Sequence, residues 1–113
     1  LTRKILINEA DMITVIAEIK VKPGHRATVL QAIEKLVPLV LAEDGCGEYT
    51  PMVDSNTQAP WQKRSPDSVF MLEKWESMAH LEKHLAIEHM LKHRETIKDS
   101  VLDTEIYILE NAL

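Results

Sequence analysis

Residues 68–93, SVFMLEKWESMAHLEKHLAIEHMLKH, decide how this chain folds. The run opens on Val69, Phe70, Met71 and Leu72, a short apolar stretch rich in strand-forming residues. Strand side chains alternate between faces. Val69, Met71, Glu73 and Trp75 therefore share one face, and Phe70, Leu72, Lys74 and Glu76 the other. Ser77 has the short hydroxyl that caps a helix, and Glu76 beside it suits the positive end of a helix dipole. The helix that follows carries His80 and His84 one turn apart. A break near residues 86–88 separates them from His89 and His93, which repeat the spacing. A strand bearing a carboxylate and an indole thus feeds helices bearing imidazoles, an arrangement able to line a pocket between sheet and helix.

Upstream, residues 55–66 are polar and contain Pro60 and Pro66; they read as a long loop that displays Trp61. Residues 48–54 read as a strand, with Tyr49, Pro51 and Val53 on one face. Pro51 lacks a ladder donor, which places this strand at an edge or gives it a bulge. An edge invites pairing with another chain. Residues 25–43 have helical period, with Leu30, Ile33, Val37, Val40 and Leu41 as the stripe, flanked by Ala27, Val29 and Leu36. Pro38 predicts a kink or break there, and Asp44-Gly45 predicts the helix end, with Gly45 in the left-handed conformation. Residues 12–21 alternate: Ile13, Val15, Ala17, Ile19 and Val21 face one way, and Thr14, Ile16, Glu18 and Lys20 the other. Lys22-Pro23-Gly24 ends that strand.

Downstream, Met90 and Ile97 share a helical stripe with His93 between them. Residues 104–110 make the last strand, Ile106 and Ile108 opposing Tyr107 and Leu109.

The order is β-α-β-β-α-β, the ferredoxin-like α+β arrangement, with both helical regions on one face of an antiparallel sheet. The other face keeps apolar residues. A homodimer with two sheets packed together would cover them.

At 113 residues the chain is one domain. Met12 stands where that domain starts, so residues 1–11 read as an arm or extension, with Ile5, Leu6 and Ile7 able to add a short strand. Hydrophobic residues make up 45% and charged residues 27%, an ordinary balance for a globular protein. A net charge of −5 with no basic run argues against non-specific nucleic-acid binding. No stretch has the length of a membrane span, and no signal-peptide h-region is seen. With a single cysteine, Cys46, no intrachain disulfide forms, which suits a reducing compartment and leads to the cytoplasm as the expected location.

The pieces ITVIAEIKVKPG (13–24), VPLVLAEDGCGEYTPMVD (37–54) and PDSVFMLEKWESMAHLEKHL (66–85), followed by His89-Met90, resemble the antibiotic biosynthesis monooxygenase family, and within it the quinol monooxygenase branch. The resemblance spans a domain at 12–113. It implies a dimeric α+β barrel and an oxygenase that uses O2 with no metal, haem or flavin. A small electron-rich aromatic substrate, a hydroquinone or phenol, then supplies the reducing power. The protein must bind the ring, help remove a phenolic proton and exclude water.

On this reading His84 is the general base, since imidazole titrates near neutral pH and matches the family's helix histidine. Trp75 flanks the substrate ring. Tyr49, Met71, Glu73, His89 and His93 are expected to bind substrate, His89 matching the family's downstream histidine. Each has a plainer reading: Trp75 as a core indole, Glu73 as half of an ion pair, His84 as a hydrogen-bonded helix residue. His80 is expected to face solvent. The i, i+4 pairs His80/His84 and His89/His93 have the spacing of helix metal ligands, but no Cys pair or HExxH accompanies them. The alternative function is a non-catalytic small-ligand or haem-binding dimer, with His93 near the place of an axial ligand. Ala17 and His84 stand where haem-opening relatives have Asn and Trp, which counts against haem.

Overall fold

The computed structural model of the protein describes residues 8–113, so the arm's first seven residues, with the possible strand at Ile5, Leu6 and Ile7, lie outside it. Residues Glu9–Asp11 form one 3-10 turn capped by the Asn8 side chain, leading directly into the sheet.

Two strands with the cleanest alternation form the centre. β1 (Ile13–Val21) pairs antiparallel with β3 (Ser68–Trp75), Ile13 opposite Trp75 and Lys20 opposite Ser68. β2 (Cys46–Met52) and β4 (Val101–Leu109) take the edges, in the order β2-β3-β1-β4. Pro51 therefore does sit in an edge strand. That strand also carries a register shift between Cys46 and Glu48. β4 begins three residues earlier than the sequence pattern predicts. Ser100 draws it into the sheet: its N–H bonds to Ile97 at 2.9 Å and its carbonyl accepts from Lys22 at 2.9 Å.

α1 (Arg26–Leu41) runs through Pro38 without a break, correcting the expectation from sequence. Proline removes the bond to the Glu34 carbonyl, but Glu34 and Pro38 are both exposed, so the loss falls on the solvent side of the helix and not in the core. The buried stripe is Val29, Ile33, Leu36 and Val40; Leu41, assigned to it from sequence, is exposed. The helix ends at Leu41, and Gly45, with φ +80°, turns the chain into β2. A Cβ at Gly45 would collide with the His80 ring, so glycine is required there twice over.

The second helical region is two helices. α2 (Met78–Ala86) is capped by Ser77, whose hydroxyl accepts from the His80 N–H at 3.3 Å. Ile87 takes an extended conformation and separates it from α3 (Glu88–Ile97), the break expected from the sequence. All three helices lie on one sheet face and bury Val15, Ala17, Val69, Met71 and Trp75. The fold is ferredoxin-like α+β. No helix among the described residues is long and apolar enough to cross a membrane.

The opposite sheet face has no helix. Ile16, Phe70 and Leu72 are half-buried there, and Met52, Tyr107 and Leu109 are exposed. On the helix side of β4, Ile106 and Ile108 are also exposed. These residues leave exposed apolar groups on both faces of the β4 edge.

Candidate active site

Between the sheet and the α2–α3 pair lies a cavity of about 460 Å³. Each element delivers side chains by its own periodicity. The inward face of β3 presents Met71 and Glu73, and β2 presents Tyr49 directly opposite Glu73. The buried face of α2 brings His84, and α3 brings Met90, His93 and Arg94. Ala17 of β1 and Ile106 of β4 form the floor beside them.

His84 is buried, and its Nδ1–H points to the Glu43 carboxylate, 3.1 Å from Oε1 and 3.0 Å from Oε2. That contact fixes the tautomer and leaves Nε2 as the basic nitrogen. Nε2 has no hydrogen-bond partner among the described residues, and the ring borders the cavity. Burial lowers the His84 pKa below its ordinary value; the Glu43 contact opposes this and is outweighed. His84 is therefore a neutral base at pH 7, ready to accept a proton.

Glu73 is also buried. Its Oε1 accepts the Trp75 indole N–H at 2.9 Å. Burial pushes its carboxyl up to about 7, the indole contact opposing and the Glu43 charge assisting. Near neutral pH it both accepts and donates protons. Tyr49 contacts His84 edge-on at 5.6 Å. Burial and the charges of Glu73 and Glu43 raise its pKa, so its hydroxyl stays a protonated donor. His93 is pushed down by burial and the neighbouring Arg94.

Of the residues expected from sequence, Tyr49, Met71, Glu73, His84 and His93 meet at this cavity. Trp75 does not. It is fully buried behind the wall, donates to Glu73, and packs on the His84 ring at 4.5 Å. Its position supports the two polar groups and leaves it no face for a substrate ring. His89 is likewise displaced from the cavity. Its Nε2 bonds to Glu43 Oε2 at 2.6 Å, and its ring lines a separate groove between α1 and α3. His80, expected to face solvent, is half-buried over Gly45, with Nδ1 2.7 Å from the Ser77 hydroxyl and Nε2 3.5 Å from Asp44. The i, i+4 histidine pairs thus separate to different partners, and among the described residues no group of three or more ligating side chains is arranged to hold a metal ion.

Sequence reasoning missed Glu43 and Arg94. Glu43 had a signal: it follows a helix C-terminus, where the dipole disfavours a carboxylate, and α1 has no basic residue in its last turn. Arg94, whose Nη2 donates to the Leu85 carbonyl at 2.5 Å and ties α3 to α2, had none.

The sequence profile of the antibiotic biosynthesis monooxygenases matches residues 12–96. The chain is 50% identical over 101 residues to the Escherichia coli (strain K12) protein named "Probable quinol monooxygenase YgiN", covering 88% of this chain and 97% of that relative. A crystal structure from Pseudomonas aeruginosa superposes with TM-score 0.76 at 25% identity, over 94% of this chain and 99% of the other. One from Methanosarcina mazei Go1 gives 0.75 at 23% identity, over 90% and 95%, and bears on the fold alone.

Proposed function

This chain belongs to the antibiotic biosynthesis monooxygenase family, and from that premise we propose that it oxidises a small hydroquinone or related phenol with O2 in the cavity under α2 and α3, with no bound cofactor. The observation that carries this is the unpartnered His84 Nε2 at the cavity, its Nδ1 anchored on Glu43. Family membership and the relative named as a probable quinol monooxygenase support the substrate class.

His84 Nε2 takes a phenolic proton, and the phenolate so formed passes electrons to O2. One oxygen atom enters the ring, and the other leaves as water with the substrate's two hydrogens. Hydroquinone and O2 thus balance as hydroxyquinone and water, and the substrate is its own reductant. His84 returns its proton to the departing oxygen. Tyr49 and Glu73, opposite each other across β2 and β3 at the cavity, hold the second hydroxyl in this reading. The apolar wall of Met71, Met90 and Ile106 admits the ring and keeps water scarce.

The test is oxygen uptake on a panel of hydroquinones by colourless, exhaustively chelated protein. Uptake is the expected result. Loss on chelation restored by one metal, or a Soret band in the purified protein, would overturn the cofactor-free reading.

The assembly we propose is a homodimer closed over the bare sheet face, in the cytoplasm that the single cysteine suits. Light scattering at micromolar concentration should return twice the 12.9 kDa chain mass, and a clean monomer would refute it.

A further inference from the structure

We propose that Glu43 holds one imidazolium at a time, on His84 or on His89, so that proton uptake by His84 in the cavity is matched by proton release from His89 into the groove between α1 and α3. The inference rests on His84 being the base.

One carboxylate oxygen joins the two rings: Glu43 Oε2 lies 3.0 Å from His84 Nδ1 and 2.6 Å from His89 Nε2. Glu43 and His84 are buried, their side chains 6% and 2% exposed, whereas the His89 side chain is 22% exposed. His84 borders the cavity, and His89 borders the groove between α1 and α3. Anchoring His84 requires only one carboxylate and one imidazole. The second imidazole gives the pair a route to water that avoids the substrate.

Charge explains the coupling. A buried carboxylate is stable when one cation neutralises it, and a second imidazolium beside the first would be repelled. His84 is buried, and His89 makes the second contact to the same carboxylate oxygen, so in this proposal His89 is the ring that carries the compensating proton while His84 waits for substrate. When His84 Nε2 takes the substrate's proton, the substrate O–H bond breaks and an N–H bond forms. His89 then loses its Nδ1 proton to water, and the triad's charge is unchanged. Both contacts to Glu43 keep their hydrogens throughout, so neither ring changes the tautomer facing the carboxylate. When His84 protonates the departing oxygen, His89 takes a proton back. Other groups facing the triad are Tyr49 on β2, Glu73 on β3 and Arg94 on α3. Lys35 of α1 and Lys92 and His93 of α3 line the groove with His89. None of these bonds to Glu43, so none replaces either imidazole.

The experiment uses the full chain and ring ¹⁵N NMR. In the unaltered protein His84 and His89 should titrate as one coupled system. In His89→Gln, which keeps a donor to Glu43 but carries no charge, the His84 midpoint should rise by about one pH unit, and the acid limb of kcat/KM should follow it. Anaerobic mixing with hydroquinone in weak buffer should release about one indicator-detected proton per site from the unaltered chain and none from His89→Gln. Independent titration in the unaltered chain, or an unmoved His84 midpoint in the variant, overturns the coupling whatever the activity. If a His84 substitution left activity unchanged, His84 would not be the base, while coupled titration in the unaltered chain would still stand, so the two failures are distinguishable.

Discussion

Replacing His84 by Asn should lower kcat/KM for the hydroquinone by about 10²–10⁴-fold, the usual contribution of a positioned base, while leaving the chain folded. The Asn amide reaches the place of the imidazole Nδ1, so the contact to Glu43 survives and no buried carboxylate is stranded. What disappears is Nε2, the one nitrogen of that ring left to the cavity. The loss should fall mainly on kcat, since proton removal belongs to the transition state. It should also shrink at high pH, where the substrate ionises unaided. The comparison variant is Lys83→Ala, one residue away on α2 and exposed. His80 is unsuitable because its ring closes the turn at Gly45 and bonds to Ser77. If the Asn variant and Lys83→Ala give the same steady-state constants, His84 is a structural histidine.

The second large effect is on stability and comes from Glu73. The folded state holds this carboxyl's proton up to about pH 7, against an ordinary value of 4.5, because burial penalises the charge more than the indole contact favours it. A raised folded pKa means that the native state binds more protons than the unfolded chain between those values. Stability is therefore highest below about pH 4.5 on account of this group, falls as pH rises through the window, and is lowest above pH 7. Glu73→Gln keeps the volume and the acceptor for Trp75 while removing the charge. It should stabilise the protein by roughly 2–4 kcal/mol at pH 8 and hardly at all at pH 4, since a pKa that differs by one between the folded and unfolded chain is worth about 1.4 kcal/mol. Urea midpoints at the two pH values check this. A stability gain that is equal at both would show that the Glu73 pKa is the same in the folded and the unfolded chain. That the chain keeps an ionisable group at this cost accords with its place in the cavity beside Tyr49.

How far the sequence alone reaches is clearest along residues 68–93. The alternation of β3, the Ser77 cap and the break at Ile87 each depend on residues within one or two turns of each other, and all three are present in the structure. Local patterns of this kind survive folding because backbone geometry imposes them. Pro38 shows the limit. Its local cost is real, but it falls on the exposed side of the helix, which continues, and exposure is a property of the whole fold.

The candidate site divides the same way. Glu73 and Trp75 sit two apart on one strand face, so their shared side was legible, and so was the presence of imidazoles on the helices that follow. Which of those imidazoles reaches the cavity was not. His84 and His89 are joined through Glu43, a residue 41 and 46 positions earlier that only the packing of the α1 end against α2 and α3 brings near. Sequence by itself determined the elements, the ferredoxin-like order and the residue types available for acid–base chemistry. Tertiary structure alone decided that Trp75 lies behind the wall, that His80 clamps a turn, and that a buried carboxylate ties the cavity histidine to one facing a different groove. Burial and long-range pairing set those roles, and neither is encoded in the spacing of neighbours.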